Sequence, residues 1–196
     1  REFHHGATLI RRSDSGMTAR DLNHGRIGVN RGYTVTTGVW ARAALAEAGL
    51  DPSTVTWVRS GDEHVSAYTP PSNVTNDPEG RDLDEMLLAG DLDAVVGAKI
   101  QHPDVIPLFP DVAEREQRML VESSVFPINH LVVVRDSLLA ERPDVVEALF
   151  DSFTRSKHNY LERIRTGRPG LEKAAAPTQS CLLYTSDAAD DSLRVD

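Results

Sequence analysis

Hydroxyl and cationic side chains cluster in one short stretch, RIGVNRGYTVTTGVWARAAL at residues 26–45. Thr36 and Thr37 stand where an apolar-periodic run begins, and Thr34 precedes them. Hydroxyls and free backbone N–H groups at a helix start favour anions, because the helix dipole places partial positive charge there. A carboxylate would suit this surface. Ordinary helix capping by threonine is the alternative interpretation, and the sequence leaves both open.

Two side chains beside the threonines could complete a ligand site. Tyr33 at the predicted turn could stack on an aromatic ring or hydrogen-bond a hydroxyl group. Arg31 could pair with a carboxylate, as could Arg42, although arginine is most often a solvated surface residue. We therefore predict a substrate-binding set of Arg31, Tyr33, Thr36 and Thr37.

Two histidines are the candidates for proton transfer, since imidazole donates and accepts protons near neutral pH. His5 lies in the FHHG motif, and a surface histidine is the alternative there. His130 ends the FPINH motif just before an apolar run, where α/β folds place functional groups, and a structural histidine is the alternative. We predict both as catalytic. Glu63 and His64, in a long polar loop, have a weaker claim.

Composition and motifs limit the classes of partner and cofactor that the sequence predicts. The 196 residues carry a formal net charge of −9 without a basic stripe, so a nucleic-acid partner is not predicted. No apolar run approaches the ~20 residues of a membrane span. An HExxH motif and histidine pairs spaced i, i+4 are absent, so neither a metal nor another cofactor is predicted. The remaining partners are a small aromatic or organic carboxylate and, at most, further copies of the chain.

Strands alternate with helices along the first part of the chain, which predicts βαβ units and a parallel sheet. The predicted strands are residues 26–30, 54–59 and 91–98, with a short strand at 7–10 and a loop at 60–81. The predicted helices are residues 36–48, ended by Gly49, and 83–89, capped by Asp82 and ended by Gly90.

The later part of the chain predicts a polar-faced helix at 111–122 and then a continuous apolar strand, INHLVVVRD. Such a strand is typical of a position buried on both faces of a sheet. A short helix starts at Asp136 and a long one at Pro143. The long helix is predicted to bury Val146, Leu149, Phe150, Phe153, Tyr160, Leu161 and Ile164.

Four sequence blocks resemble the 4,5-dihydroxyphthalate decarboxylase family in their order and spacing. They are LNHGRIGVNRGYTVTTGVWARAAL, LDEMLLAGDLDAVVGA, PLFPDVAEREQRML and VFPINHLVVVRDSLL, and the resemblance covers roughly residues 1–165. It implies a two-lobe α/β fold of the type II periplasmic-binding-protein kind, with one lobe complete, the other partial, and ligand held in the cleft between lobes.

The resemblance also implies a domain organisation. Residues 1–24 would be the end of a first-lobe segment and its hinge crossing, 25–125 the second lobe, and 126–180 the return to the first lobe. The chain starts at Arg1 without a methionine, and an N-terminal truncation is predicted. Cys181 to Asp191 match a translated sequencing adapter, so 181–196 are predicted to be non-native. A truncated chain would expose apolar surface and tend to aggregate.

The function implied by the resemblance is a cytoplasmic carboxy-lyase that converts 4,5-dihydroxyphthalate, or a similar hydroxylated aromatic dicarboxylate, to a product of the protocatechuate type. His5 matches an aromatic–basic–histidine stretch of that family. The alternative is a periplasmic substrate-binding protein that delivers a small organic anion to an ABC permease. The fold alone does not distinguish the two, because one fold serves many functions.

Overall fold

The computed structural model describes residues 3–123 and 127–166. The chain divides into two compact units between Ser123 and residue 124. The first unit is described from residue 3 to 123, and the second from 127 to 166. The predicted non-native tail at 181–196 and the end of the 126–180 segment lie outside the described residues.

The first unit is built on one six-stranded mixed sheet, so the predicted α/β class is confirmed. Its strands are β1 (Thr8–Arg11), β2 (Arg26–Val29), β3 (Thr56–Arg59), β4 (Val74–Asn76), β5 (Ala94–Val96) and β6 (Val105–Pro107). Their order in the sheet is β4-β3-β2-β5-β1-β6. The four strands from β4 to β5 run parallel, whereas β1 is antiparallel to both of its neighbours.

The helices follow the predicted positions closely. The first unit contains α1 (Thr36–Glu47), α2 (Leu83–Ala89) and α3 (Val112–Ser123), with short 3₁₀ turns at His5–Ala7, Arg12–Asp14 and Ala19–Leu22. The second contains α4 (Asp136–Glu141) and α5 (Pro143–Arg165). Gly49 and Gly90 adopt positive φ angles of 102° and 85° just beyond α1 and α2, which is the glycine stop that the sequence predicts.

Helices cover both faces of the sheet. On one face α1 packs with Ile27, Val29 and Trp57, and on the other α2 packs with Val58 and Val95. Gly28 of β2 points to the α2 face, where an added Cβ would lie 2.8 Å from the side chains of Leu83 and Leu92. Only glycine fits here, because a Cβ at 2.8 Å would overlap both leucine side chains. The core of this unit therefore lies on both sides of β2, β3 and β5.

Two strands were not predicted. β4 lies inside the segment 60–81 that the sequence predicts as loop, and β6 follows β5. Both are three-residue strands, and two of the three β4 residues are exposed. Such short strands carry no apolar alternation, so composition alone favours a loop.

The apolar strand predicted in the second unit is wrong. Residues 127–135 form no regular structure, and Leu131, Val132 and Val133 are 78%, 68% and 86% exposed. A buried strand requires neighbours that pair with its backbone, and none of the described residues pairs with this segment.

The predicted apolar face of α5 is wrong at three of its six described side chains. Leu149, Phe150 and Phe153 are exposed, whereas Leu161 is buried and Val146 and Tyr160 are half-buried. The side chain of Ile164 lies outside the description. None of the described helices combines the length and the apolar character needed to cross a membrane.

Candidate functional site

The sheet order creates a switch point at the carboxyl ends of β2 and β5. The chain leaves β2 through α1 on one face and enters β5 from α2 on the other. Open α/β sheets bind ligands in the crevice that this divergence leaves. The switch point is therefore the position in the first unit where a ligand is expected.

Asn30 and Gly97 lie at this switch point and contact each other. The side-chain amide of Asn30 donates a hydrogen bond to the Gly97 carbonyl at 3.0 Å, and its backbone N–H donates to Val96 at 3.0 Å. Gly97 has a φ of +77°, and an added Cβ would lie 3.2 Å from Cγ2 of Thr37. The end of β5 thus meets the start of α1. Sequence reasoning missed both residues, although each directly follows a buried parallel strand.

The start of α1 has no side-chain cap. Val35 occupies the N-cap position, and the hydroxyls of Thr36 and Thr37 make no hydrogen bond to the described residues. The first N–H groups of a helix have no partner within the helix. Capping by Thr36 or Thr37, the alternative considered from the sequence, is therefore not seen here, and an anion-favouring helix start remains at the switch point.

Glu63, in the loop after β3, contacts the loop between β2 and α1. Its side chain is 3% exposed. Oε1 accepts the Tyr33 N–H at 2.6 Å, while Oε2 accepts the Thr34 N–H at 2.9 Å and the Thr34 hydroxyl at 2.6 Å. Burial raises the pKa of Glu63, but the hydrogen bonds from Thr34 and Tyr33, with the Arg59 guanidinium, outweigh it and hold that pKa below its ordinary value. The Glu63 carboxylate thus occupies the hydrogen-bond donors of Tyr33 and Thr34 that would otherwise favour an anionic ligand.

Tyr33 is held between two other side chains. The guanidinium of Arg42 lies 3.7 Å from the centre of the Tyr33 ring and donates to the Tyr33 carbonyl at 2.8 Å. The Trp57 ring meets Tyr33 edge-on at 6.1 Å. Burial lowers the pKa of Arg42, which remains a cation at neutral pH. One face of Tyr33 is therefore covered by Arg42, and a ligand contact would have to use the rest of the ring.

Arg31 stands at the end of β2 with an exposed side chain and a φ of +66°, and its N–H donates to the Ser60 hydroxyl at 3.0 Å. Three arginines, Arg31, Arg42 and Arg59, surround this edge of the sheet, against the carboxylates of Glu63 and the exposed Asp62. Arg42 stacks on Tyr33 and Arg59 contacts Glu63, so Arg31 is the exposed arginine of the three.

His5 lies away from the threonines. It is 4% exposed, its Nε2 is 4.0 Å from Glu47, and Phe109 meets its ring edge-on at 6.2 Å. An α-helix rises ~1.5 Å per residue, so Thr37 and Glu47 are on the order of 15 Å apart along α1. Burial lowers the pKa of His5, although Glu47 opposes it. The structure therefore places His5 and the threonines at opposite ends of α1.

The other two candidate histidines, His130 and His64, lie in different units of the chain. His130 is exposed and belongs to the second unit. His64 is exposed and follows Glu63, whose carboxylate is anchored on the loop that begins α1. The long polar loop that contains Glu63 and His64 therefore contacts the loop between β2 and α1, although these two residues have a weaker claim to function from the sequence alone.

A polar cavity of ≈ 210 Å³ adjoins this edge at the ends of β3 and β4. Its two arginines are already paired: Arg59 donates to Asn76 and contacts Glu63, and Arg81 bonds Asp77 and Asp91. The Arg81 guanidinium lowers the pKa of Asp77 to about 2. No group of three side chains suited to a metal ion occurs within residues 3–123 and 127–166.

Comparison with known proteins gives two relatives. The chain is 33% identical over 179 residues to a 4,5-dihydroxyphthalate decarboxylase of Comamonas testosteroni, which covers 84% of this chain and 54% of that protein. The predicted resemblance to the 4,5-dihydroxyphthalate decarboxylases is confirmed. A second such decarboxylase, from Pseudomonas putida, is 38% identical over 125 residues, or 57% of this chain and 48% of that protein.

The chain thus spans about half the length of the curated relatives that it matches. No protein-family model matches it. The longer of the two matches is long enough to include both units of the chain.

Proposed function

We propose that the protein is a carboxy-lyase that removes one carboxylate from a hydroxylated aromatic dicarboxylate, as in the conversion of 4,5-dihydroxyphthalate to protocatechuate. The observation that carries the proposal is the 33% identity to a protein of that name over 84% of this chain. The anion-favouring start of α1 at the switch point of the sheet agrees with such a substrate.

The chemistry sets three requirements. Loss of CO₂ leaves an electron pair on a ring carbon, and that carbon must then gain a proton. A hydroxyl group para to the leaving carboxylate assists by feeding electron density toward the carbon that is protonated. The protein must therefore grip the carboxylate that stays, supply an acid, and exclude water.

The grip is assigned to the switch point. The N–H groups of the first turn of α1 and the hydroxyls of Thr36 and Thr37 would hold the retained carboxylate, with the exposed Arg31 as the counter-charge. Tyr33 would contact the ring or its hydroxyls with the face that Arg42 leaves open. Closure of two lobes over this edge would exclude water.

Three histidines are candidates for the acid that protonates the ring carbon. His5 and His130 are the residues expected from the sequence, and the position of His64 beside Glu63 adds it as a third. The acid must reach the ring carbon that gains the proton, either directly at hydrogen-bond distance or through one water molecule. His64 is the one of the three whose neighbouring side chain is bonded to the ligand loop.

A binding protein for a small organic anion is the second candidate function. The feature that favours it is the position of His5 beside Glu47, at the opposite end of α1 from Thr37. The helix start and the surrounding arginines would hold an anion without any proton donor.

Incubation of the protein with 4,5-dihydroxyphthalate, followed by chromatography for protocatechuate, tests the proposal. Turnover supports the carboxy-lyase, and tight binding without turnover supports the binding protein. Replacing each of His5, His64 and His130 by Gln identifies the acid as the variant that loses turnover but keeps binding. His158→Gln is the matched control, because His158 is exposed on α5.

A further inference from the structure

Glu63 is a buried carboxylate that the proposed mechanism does not use. Three hydrogen-bond donors reach it from the loop before α1: the N–H groups of Tyr33 and Thr34 and the Thr34 hydroxyl. The Arg59 guanidinium, at 3.5 Å, is a further cationic contact. Charge-assisted hydrogen bonds of this kind are about twice as strong as neutral ones. The contact joins the loop after β3 to the loop between β2 and α1.

The backbone is shaped to receive this carboxylate. At Gly32 an added Cβ would lie 2.7 Å from Oε2 of Glu63, 2.8 Å from the Asp62 carbonyl and 2.9 Å from the Glu63 Cα. A side chain at position 32 would therefore force Asp62 and Glu63 to move. Arg31, immediately before, has a left-handed backbone, and its N–H donates to the Ser60 hydroxyl in the same loop. The loops contact each other at four successive residues, 31 to 34.

This arrangement decides where a ligand carboxylate can bind. The N–H groups of Tyr33 and Thr34 are taken by Glu63, whereas those at the start of α1 have no partner in the helix. We infer that Glu63 is a positioning residue, which fixes the loop between β2 and α1 and thereby directs the substrate carboxylate to Thr36 and Thr37 instead of Tyr33 and Thr34. The inference rests on the proposed function for the identity of the ligand.

The test uses Glu63→Gln, which keeps the shape of the side chain but replaces one acceptor oxygen by a donor that faces the Thr34 or Tyr33 N–H. Asp62→Asn is the matched control, because it removes the same charge from the adjacent, exposed position. Thr34→Val removes one of the three donors and provides a milder change.

Amide exchange measured by NMR gives the first readout, without ligand. We expect the Tyr33 and Thr34 amides to exchange about tenfold faster in Glu63→Gln than in the wild type, with a smaller change in Thr34→Val and none in Asp62→Asn. Unchanged protection of both amides in Glu63→Gln overturns the inference.

Phthalate, which has both carboxylates but no ring hydroxyl to assist decarboxylation, gives the second readout. In the wild type it should shift the amide signals of Thr36, Thr37 and Gly38, and Glu63→Gln should bind it about tenfold more weakly with the two tryptophan signals still native. Equal affinity in Glu63→Gln, or wild-type shifts confined to Tyr33 and Thr34, overturns the inference, as does a wild type that binds no phthalate. Absence of protocatechuate from 4,5-dihydroxyphthalate, with these phthalate results as expected, refutes only the proposed reaction.

Discussion

The end of β2 in the first unit and the segment 127–135 in the second unit have similar sequences. Each has a short run of branched apolar residues next to a polar residue, IGVN in one and NHLVVV in the other. In the first unit, β2 pairs with β3 and β5, and Ile27 and Val29 are buried. In the second unit, the run has no pairing partner among the described residues, and Leu131, Val132 and Val133 are exposed.

The difference shows that an apolar run specifies a tendency to be buried but not the surface that buries it. β2 finds neighbours because βαβ connections bring β3 and β5 to its two sides. The run in the second unit has only α4 and α5 after it in the described part of the chain, and helices cannot satisfy the backbone groups of a strand. Matched leucine and valine variants test this contrast, and two further predictions concern the first unit alone.

The largest effect is expected for a matched pair of leucines. Leu45, on α1, is 0% exposed, whereas Leu131 is 78% exposed. Leu45→Ala should lower the free energy of unfolding by about 2–5 kcal/mol, because it removes buried methyl groups and leaves a cavity. Leu131→Ala should change it by less than about 0.5 kcal/mol.

Urea denaturation followed by far-ultraviolet circular dichroism measures both values, since helices of the two units contribute to that signal. A loss above ~2 kcal/mol for Leu131→Ala would mean that the segment 127–135 is packed in solution.

A matched pair of glycines tests the ligand edge. Gly97 and Gly80 have φ angles of +77° and +67°, so alanine at either position should cost about 1–2 kcal/mol of backbone strain. Only at Gly97 does the new Cβ approach another residue, at 3.2 Å from Thr37, whereas nothing lies within 4 Å at Gly80. Gly97→Ala should therefore also displace the start of α1.

Phthalate affinity measured by calorimetry separates the two effects. We expect Gly97→Ala to weaken binding at least about threefold and Gly80→Ala to leave it unchanged, since small displacements of a binding group are costly. Equal affinities in the two variants would argue that the ligand binds elsewhere than at the end of β5.

Particular residues show how far the sequence predicts this molecule. The 3.6-residue periodicity after Thr36 and the glycines at 49 and 90 predict α1 and α2, because these are local signals. The role of Glu63 was not predicted, since its three donors are 29 and 30 residues away along the chain. Asn30 and Gly97 were missed for the same reason: their contact depends on the pairing of β2 with β5.

The candidate acids illustrate the same limit. FHHG and FPINH mark histidines by residue type alone, and the sequence cannot show that His5 contacts Glu47 at the far end of α1 from Thr37. Thr36 and Thr37 were predicted correctly as the start of a helix, because that assignment depends only on neighbours in sequence. Their role as ligands stays a prediction.

His5 gives a smaller effect that depends on pH. Burial lowers its pKa in the folded protein from the ordinary value of 6.5. The stabilisation from burying the neutral ring is fully present above pH ~6.5 and is lost as the pH falls toward the folded pKa, because the unfolded chain then binds the proton more readily. Unfolding measured between pH 7.5 and 5 should show a decline that His5→Gln reduces, whereas His158→Gln should not alter it. An identical decline in His5→Gln would show that His5 is not buried as a neutral ring.

The smallest effect on folding is expected when a charged residue replaces a valine of the exposed run at residues 131–133. The same change should have a measurable effect on self-association. Val133 is 86% exposed beside Leu131 and Val132, whereas Val65 is 62% exposed in the polar loop of the first unit. A contiguous apolar patch promotes association, and a single exposed side chain does not. Val133→Lys should therefore reduce self-association in sedimentation velocity at a given concentration, and Val65→Lys should leave it unchanged, with both variants within about 0.5 kcal/mol of the wild-type stability. Equal sedimentation of all three proteins would mean that the exposed run does not drive association, and the contrast between the two units would then concern strand pairing alone.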